Sequence, residues 1–231
     1  MNDIQVSPQE PFEAGAAGGK LLSARTYNLV VSGVIFLGFL VMGAETYLTG
    51  TRDFMFMMAS GSGFGIMFGS LIGSIVGIVL MSVAAGKQSV GLSLAGFALF
   101  VCTFGLISSL ALVTYDLPTI NTAFAATAAI TFVFGALGVT FPQFFRKAYG
   151  VGMGILFAVV LVELVLMFAG VSQTITDWIV VVVFAGFIGY DTYMATQVPP
   201  TLSNAVLAAS NLYVDIINVF LRILDIIGRR D

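Results

Sequence analysis

Two aspartates near the end of the chain, Asp191 and Asp215, stand in long apolar stretches, where a charge at membrane depth costs at least about 2.5–3.5 kcal/mol. Each calls for a partner, water or a function. Asp215 belongs to a series. Counting about 100° per residue from Asn204, the positions Asn211, Asp215, Asn218, Arg222 and Asp225 fall within a sector of about 80°. One face of that segment is polar for its whole length, so it must face the protein interior or a water-filled path. Arg222 lies about 10 Å along a helix from Asp215 and is expected to pair with Asp225, one turn on. Asp215 then needs a partner from another helix, and Asp191 can supply it. The sequence midpoint between the two is Ser203, just beyond Pro199-Pro200, and residues equidistant from the turn of an antiparallel hairpin lie at equal depth. Two carboxyls that meet in a low-dielectric site cannot both ionise cheaply, so they share a proton or repel as a doubly charged pair. That is a pH switch without histidine, and its charged state attracts a hard cation such as Ca²⁺. The competing reading is that each aspartate separately satisfies a packing hydrogen bond.

The elements that hold these residues follow from composition. The 231 residues are 58% hydrophobic and 9% charged, against roughly 25% charged in a soluble domain, so a water-soluble surface cannot be built. Apolar runs fall at Tyr27 to Leu48, Phe54 to Ala85, Val90 to Val113, Ile120 to Phe141, Val151 to Val171, Trp178 to Gln197 and Leu202 to Ile227. With about 20 residues needed per crossing, they predict seven transmembrane helices in one all-α domain over residues 26–231, after a flexible tail over 1–25. The polar stripe requires the last helix to be surrounded by the others. Lys20, Arg25, Lys87, Arg146 and Lys147 fall on one side and Asp116 and Asp177 on the other, which places the N-terminus in the cytoplasm. Arg229 and Arg230 are the misfit, since seven spans leave them outside. Gly61, Gly65, Gly69, Gly73 and Gly77 recur every fourth residue and predict a close helix approach. Glu163 lies deep in its span, whereas Glu45 lies near enough to a span end to reach the interface; the two form an outer carboxylate station only if their helices turn inward.

Several function classes fall away. A net charge of −3 with no basic cluster larger than Arg229-Arg230 argues against nucleic acid. The absence of histidine removes His-based zinc sites and Ser-His hydrolysis, and a single cysteine, Cys102, permits no intrachain disulfide.

The segment Gly189-Tyr190-Asp191-Thr192, followed by Ala205 to Phe220 with its Leu212-Tyr213-Val214-Asp215-Ile216-Ile217-Asn218 core, resembles the C-terminal signature of the Bax inhibitor-1 family, the transmembrane BAX inhibitor motif proteins. The close match covers about the last 45 residues. The resemblance implies a last helix enclosed by six others and a proton-sensitive aspartate pair, here Asp191 and Asp215, gating a passive Ca²⁺ leak. It implies Ca²⁺ as a transient ligand of the pair and permeant ion, H⁺ as regulator, and no tightly bound cofactor. Asn211, Asn218, Arg222, Asp225, Glu163 and Tyr190 are the residues expected to support the pore or the sensor. Bacterial relatives latch the pair with an arginine in the second span, yet Phe54 to Ala85 contains none; Arg52 precedes it, and Arg222 is the nearest alternative cation.

Three other classes compete. An intramembrane aspartyl protease also shares a proton between two aspartates, and Tyr190-Asp191 echoes its first motif, but Gly-x-Gly-Asp is absent before Asp215. A proton-coupled cation transporter or exchanger is weakened by the lack of an internal repeat. The third is a non-conducting regulator that binds other membrane proteins, such as proteases or cell-death factors. The reading is therefore of a non-enzymatic, multi-pass protein in the lipid bilayer of a bacterial cell membrane.

Overall fold

A computed structural model describes residues 19–169 and 174–228, and among them the chain is helical apart from one isolated bridge between Leu21 and Thr201. The helices are α1 (Ala24–Thr49), α2 (Arg52–Ala59), α3 (Ser62–Lys87), α4 (Val90–Leu112), α5 (Leu117–Thr140), α6 (Pro142–Ala169), α7 (Thr174–Ala195) and α8 (Leu202–Gly228). Seven of them are long and apolar enough to cross a bilayer, α2 being the exception. The protein is a multi-pass membrane protein.

Local chemistry sets several of the boundaries. Ser23, Thr51 and Asp116 cap α1, α2 and α5 by accepting from the backbone N–H of Thr26, Phe54 and Thr119. Hydrogen bonds from Thr119, side chain first and then backbone, hold the Asp116 carboxyl below its ordinary range. Pro142 opens α6, where its missing N–H costs nothing. α6 therefore begins well before the expected Val151, carrying the exposed Arg146 and Lys147 on its first turns. The expected second span, Phe54 to Ala85, is divided: Ser60 is extended, its hydroxyl bonds the Met57 carbonyl at 2.6 Å, and α3 starts afresh at Ser62. A single helix over that run would measure about 48 Å, well beyond the roughly 30 Å of a hydrocarbon core.

Of the tail expected over 1–25, residues 1–18 lie outside the described residues, as do Arg229 and Arg230. Leu22 donates to the Pro200 carbonyl at 2.7 Å, in the loop between α7 and α8. The last described residue, Gly228, packs against the Tyr115 ring between α4 and α5. Leu22 and Gly228 are thus at opposite ends of the bundle, as an odd number of crossings between them requires.

α8 is the most buried span: 61% of its most apolar stretch is buried, against at most 44% in the other six. It packs against α1, α3, α4, α5 and α7, while α6 packs mainly on α7. Tyr213, with no exposed surface, anchors it. Its ring meets Phe39, Phe100 and Phe104 edge-on at 5.4, 6.0 and 6.3 Å, and its hydroxyl donates to the Gly38 carbonyl. Enclosure by all six helices was the expectation; five meet α8 directly through packing, and α6 reaches it through an ion pair described below.

The glycine series is used only at its end, at Gly73 and Gly77. A Cβ on Gly77 would lie 2.6 Å from Phe100 Cβ and 2.7 Å from the Phe100 nitrogen of α4, and one on Gly73 would meet Thr103. Gly61, Gly65 and Gly69 face open space, so the expected continuous groove ends at Gly73. Gly77→Ala is expected to destabilise the protein by about 1–3 kcal/mol through overpacking against backbone, while Gly65→Ala leaves stability unchanged or slightly raised; thermal unfolding in detergent compares the two.

Candidate functional site

The polar residues of α8 do occupy one side of the helix, and that side is the one its neighbours leave uncovered. The buried positions, among them Val206, Ala209, Tyr213, Ile217, Phe220 and Leu224, form the apolar face. Asn211 is exposed, and Asn204, Asn218, Arg222 and Asp225 are half-buried. Of the stripe only Asp215 is buried. α8 is therefore surrounded on its apolar face, and its polar face is left largely uncovered by the other helices.

Asp215 meets Asp191 of α7, and the two carboxyls are within hydrogen-bonding reach. One Asp215 oxygen, Oδ2, is buried with no hydrogen-bond partner. The contact does not come from a symmetric hairpin. Asp191 lies four residues before the end of α7 and Asp215 thirteen after the start of α8, or about 6 and 20 Å at the helical rise. The linker Thr196–Thr201, which opens with a turn on the end of α7, absorbs the difference, so the meeting does not follow from equal spacing about Ser203.

A cleft of about 210 Å³ leads to the pair from the α7–α8 loop, lined by Asp191, Met194 and Val198 on one side and Asn204, Leu207 and Asn211 on the other. Behind the pair, Tyr190 stacks on Tyr149 of α6 with ring centroids 4.0 Å apart. Tyr149 lies within electrostatic range of both aspartates. Nothing in its sequence context distinguishes Tyr149 from a packing aromatic, and reading the sequence did not find it. Asn218 donates to the carbonyl of Val214 in its own helix, at 2.8 Å.

Toward the far end of α8 the pairing differs from expectation. Arg222 does not pair with Asp225. Its Nη1 meets Asp177 Oδ1 of α7 at 2.7 Å and its Nη2 meets Glu163 Oε2 of α6 at 2.8 Å. The planar fork of the guanidinium spans two helices at once, which an intrahelical partner does not allow. Asp225 instead accepts from the Tyr115 hydroxyl at 2.6 Å. Asp177, read from the sequence as an outer loop residue, is fully buried in the first turn of α7. No sequence signal pointed to it, since one arginine beside one glutamate is already balanced in charge.

Glu45 is also placed differently from expectation. Its carboxylate is seated on Gly105 of α4, where a Cβ would strike it, and Oε2 is buried without a hydrogen-bond partner. It lies on the Tyr213 side of α8, opposite the polar stripe, so Glu45 and Glu163 do not form one station. Neither candidate latch reaches the aspartates. Arg52 is exposed at the start of α2, and Arg222 is committed to Asp177 and Glu163 two turns from Asp215.

A family model described as "Inhibitor of apoptosis-promoting Bax1" matches residues 20–231. An uncharacterized protein of Deinococcus radiodurans is 30% identical over 223 residues, covering 90% of each chain. An uncharacterized membrane protein of Streptococcus pyogenes serotype M3 is 28% identical over 164 residues, or 67% of this chain and 72% of that one.

The ion-pair assignment has an energetic signature. Arg222→Gln is expected to cost about 3 kcal/mol, the lower end for breaking a buried pair, because the Arg222 side chain is 24% exposed. In double-mutant cycles read by chemical unfolding, coupling between Arg222 and Asp177 exceeds about 1 kcal/mol, and that between Arg222 and Asp225 stays below about 0.5 kcal/mol.

Proposed function

The chain belongs to the Bax inhibitor-1 family, and on that premise we propose that it is a pH-sensitive passive Ca²⁺ leak channel of the cell membrane, gated by Asp191 and Asp215. The observation that carries this reading is the contact of the two carboxyls beside a cleft that Asp191, Asn204 and Asn211 line. The cation enters along Asn204 and Asn211, passes the aspartates, and continues along the uncovered face of α8 past Asn218. Carboxylate oxygens suit Ca²⁺, and a site of two carboxylates with amide oxygens nearby binds it transiently as cargo. Beyond Asn218 the ion meets Arg222, whose charge is more than balanced by Glu163 and Asp177, with Asp225 one turn further. Local charge there remains negative, so the arginine does not bar a cation.

Protonation sets the gate. When the pair shares a proton its members attract, α7 and α8 are held together and the carboxylates are occupied by one another. Loss of that proton leaves two like charges in contact, which favours separation of the helices and raises affinity for a divalent cation. The closed state binds more protons than the open one, so raising pH shifts the equilibrium toward opening. Tyr190 and Tyr149 form the wall against which the pair moves. The positive residues Lys20, Arg25, Lys87, Arg146 and Lys147 lie at the cleft end, which is the cytoplasmic end with the N-terminus inside. No tightly bound cofactor and no catalytic step enter the scheme.

The test is Ca²⁺ flux in liposomes that contain this protein alone. Flux is expected to run only downhill and to rise with pH. Asp191→Asn or Asp215→Asn is expected to flatten that pH dependence. Uphill Ca²⁺ movement driven by a proton gradient would replace the leak by an exchanger, and no flux at all would favour a regulator of other membrane proteins.

A further inference from the structure

We propose that the segment Gly19–Leu22 is a clasp that holds the α7–α8 loop closed over the inner mouth of the cleft, and that its release opens the way to Asp191. The significance for ion flow rests on the channel reading above; the opening of the mouth itself does not. The loop Thr196–Thr201 contains Pro199 and Pro200, which carry no N–H. Thr196 and Gln197 bond back to the end of α7 and Thr201 bonds the Pro199 carbonyl, so the loop has its own turn structure, and the outside bonds are those that fix it against its neighbours.

Three ties hold it. Leu22 N–H donates to the Pro200 carbonyl at 2.7 Å, and Leu21 bridges Thr201 in an antiparallel sense. Asn204 Nδ2 donates to the Pro199 carbonyl at 2.8 Å. Gln88, between α3 and α4, donates from Nε2 to Asn204 Oδ1 at 3.4 Å. Gln88 has a positive φ of 50°, a backbone conformation uncommon for a residue with a side chain. Gly19 lies so close to it that a Cβ would strike the Gln88 carboxamide and come within 3.0 Å of Thr201 Cγ2. The N-terminal segment, the α3–α4 turn and the α7–α8 loop therefore meet at one point, and Asn204, which joins them, also lines the cleft.

The loop has room to move. On one side lies the cleft to Asp191; on the other lies a second cavity of about 530 Å³, bounded by Tyr27, Val31, Thr192 and Pro200 among others. Ala195 and Val198 line both. A partition with unfilled space on each face meets little packing resistance when it shifts, unlike a close-packed element. Its position is fixed by its ties, and among the described residues before α1 these are made by Leu21 and Leu22.

The test uses the full chain in lipid vesicles with Cys102→Ser and Leu207→Cys, a half-buried position in the cleft lining, probed by a membrane-impermeant thiol reagent on the α7–α8 loop side and read at position 207 by mass spectrometry. Deletion of residues 1–22 is expected to raise the labelling rate about tenfold, the shift that one net hydrogen bond sustains. Deletion of residues 1–18 leaves the rate unchanged. Equal rates in the 1–22 deletion and the full chain overturn the clasp. A second variant covers misfolding of the deletion: an antiparallel bridge pair is close enough for a disulfide, so oxidised Leu21→Cys/Thr201→Cys is expected to slow labelling severalfold. Unchanged labelling in that cross-linked form also overturns the clasp. Labelling that responds to clasp release without any Ca²⁺ flux retains the clasp and rejects the channel.

Discussion

A polar stripe within a bilayer has to be solvated, and the arrangement of this protein follows from that requirement on α8. The hydrocarbon offers no hydrogen bonds, so the stripe from Asn204 to Asp225 must face protein or water. The bundle meets this by gripping the opposite side. Tyr213, Phe220 and their aromatic partners fix the apolar face of α8 against α1, α4 and α5. The polar face is left toward a cleft, with α7 along one edge. Only this helix among the seven spans has such a division between its two faces; in the others, apolar residues are spread around the circumference as lipid exposure demands.

Along that face, charge is handled in two different ways. At the cleft end, two acids are placed in contact with no cation between them, an arrangement whose energy depends on protons. Two turns away, a cation is held between two acids on different helices, an arrangement whose charges satisfy one another and which ties α6, α7 and α8 together. In the proposed leak the first is the movable station and the second the fixed one. Glu45, on the other face of α8, stands apart from both.

Composition and apolar run lengths were enough to give the seven crossings, because a bilayer imposes one length and one chemistry on each. Boundaries were less legible. The break at Ser60-Gly61 was written in small polar residues and in a run too long for one crossing, yet it was hidden by the apolar residues on both sides. The early start of α6 was masked by Arg146 and Lys147, which can sit on a helix at the interface with their charges turned to water. The 100° rotation correctly grouped the residues of the α8 stripe, since periodicity is local information. Partners across helices are not local: Arg222 finds acids 45 and 59 residues away, and rotation of α6 and α7 about their axes decides this. The same rotation turned Glu45 inward. The meeting of Asp191 and Asp215 was expected from hairpin symmetry, but it depends on the course of Thr196–Thr201, which carries no periodic signal.

The central claim is that Asp191 and Asp215 bind protons as one unit. It is tested most directly by carbon-13 NMR titration of aspartate-labelled protein in lipid nanodiscs, comparing the unmodified chain with Asp191→Asn. The account predicts that the Asp215 carboxyl resonance responds to pH in two steps in the unmodified chain, and that its titration moves and becomes a single step when Asp191 is replaced. An Asp215 titration curve that is the same in both proteins would contradict it.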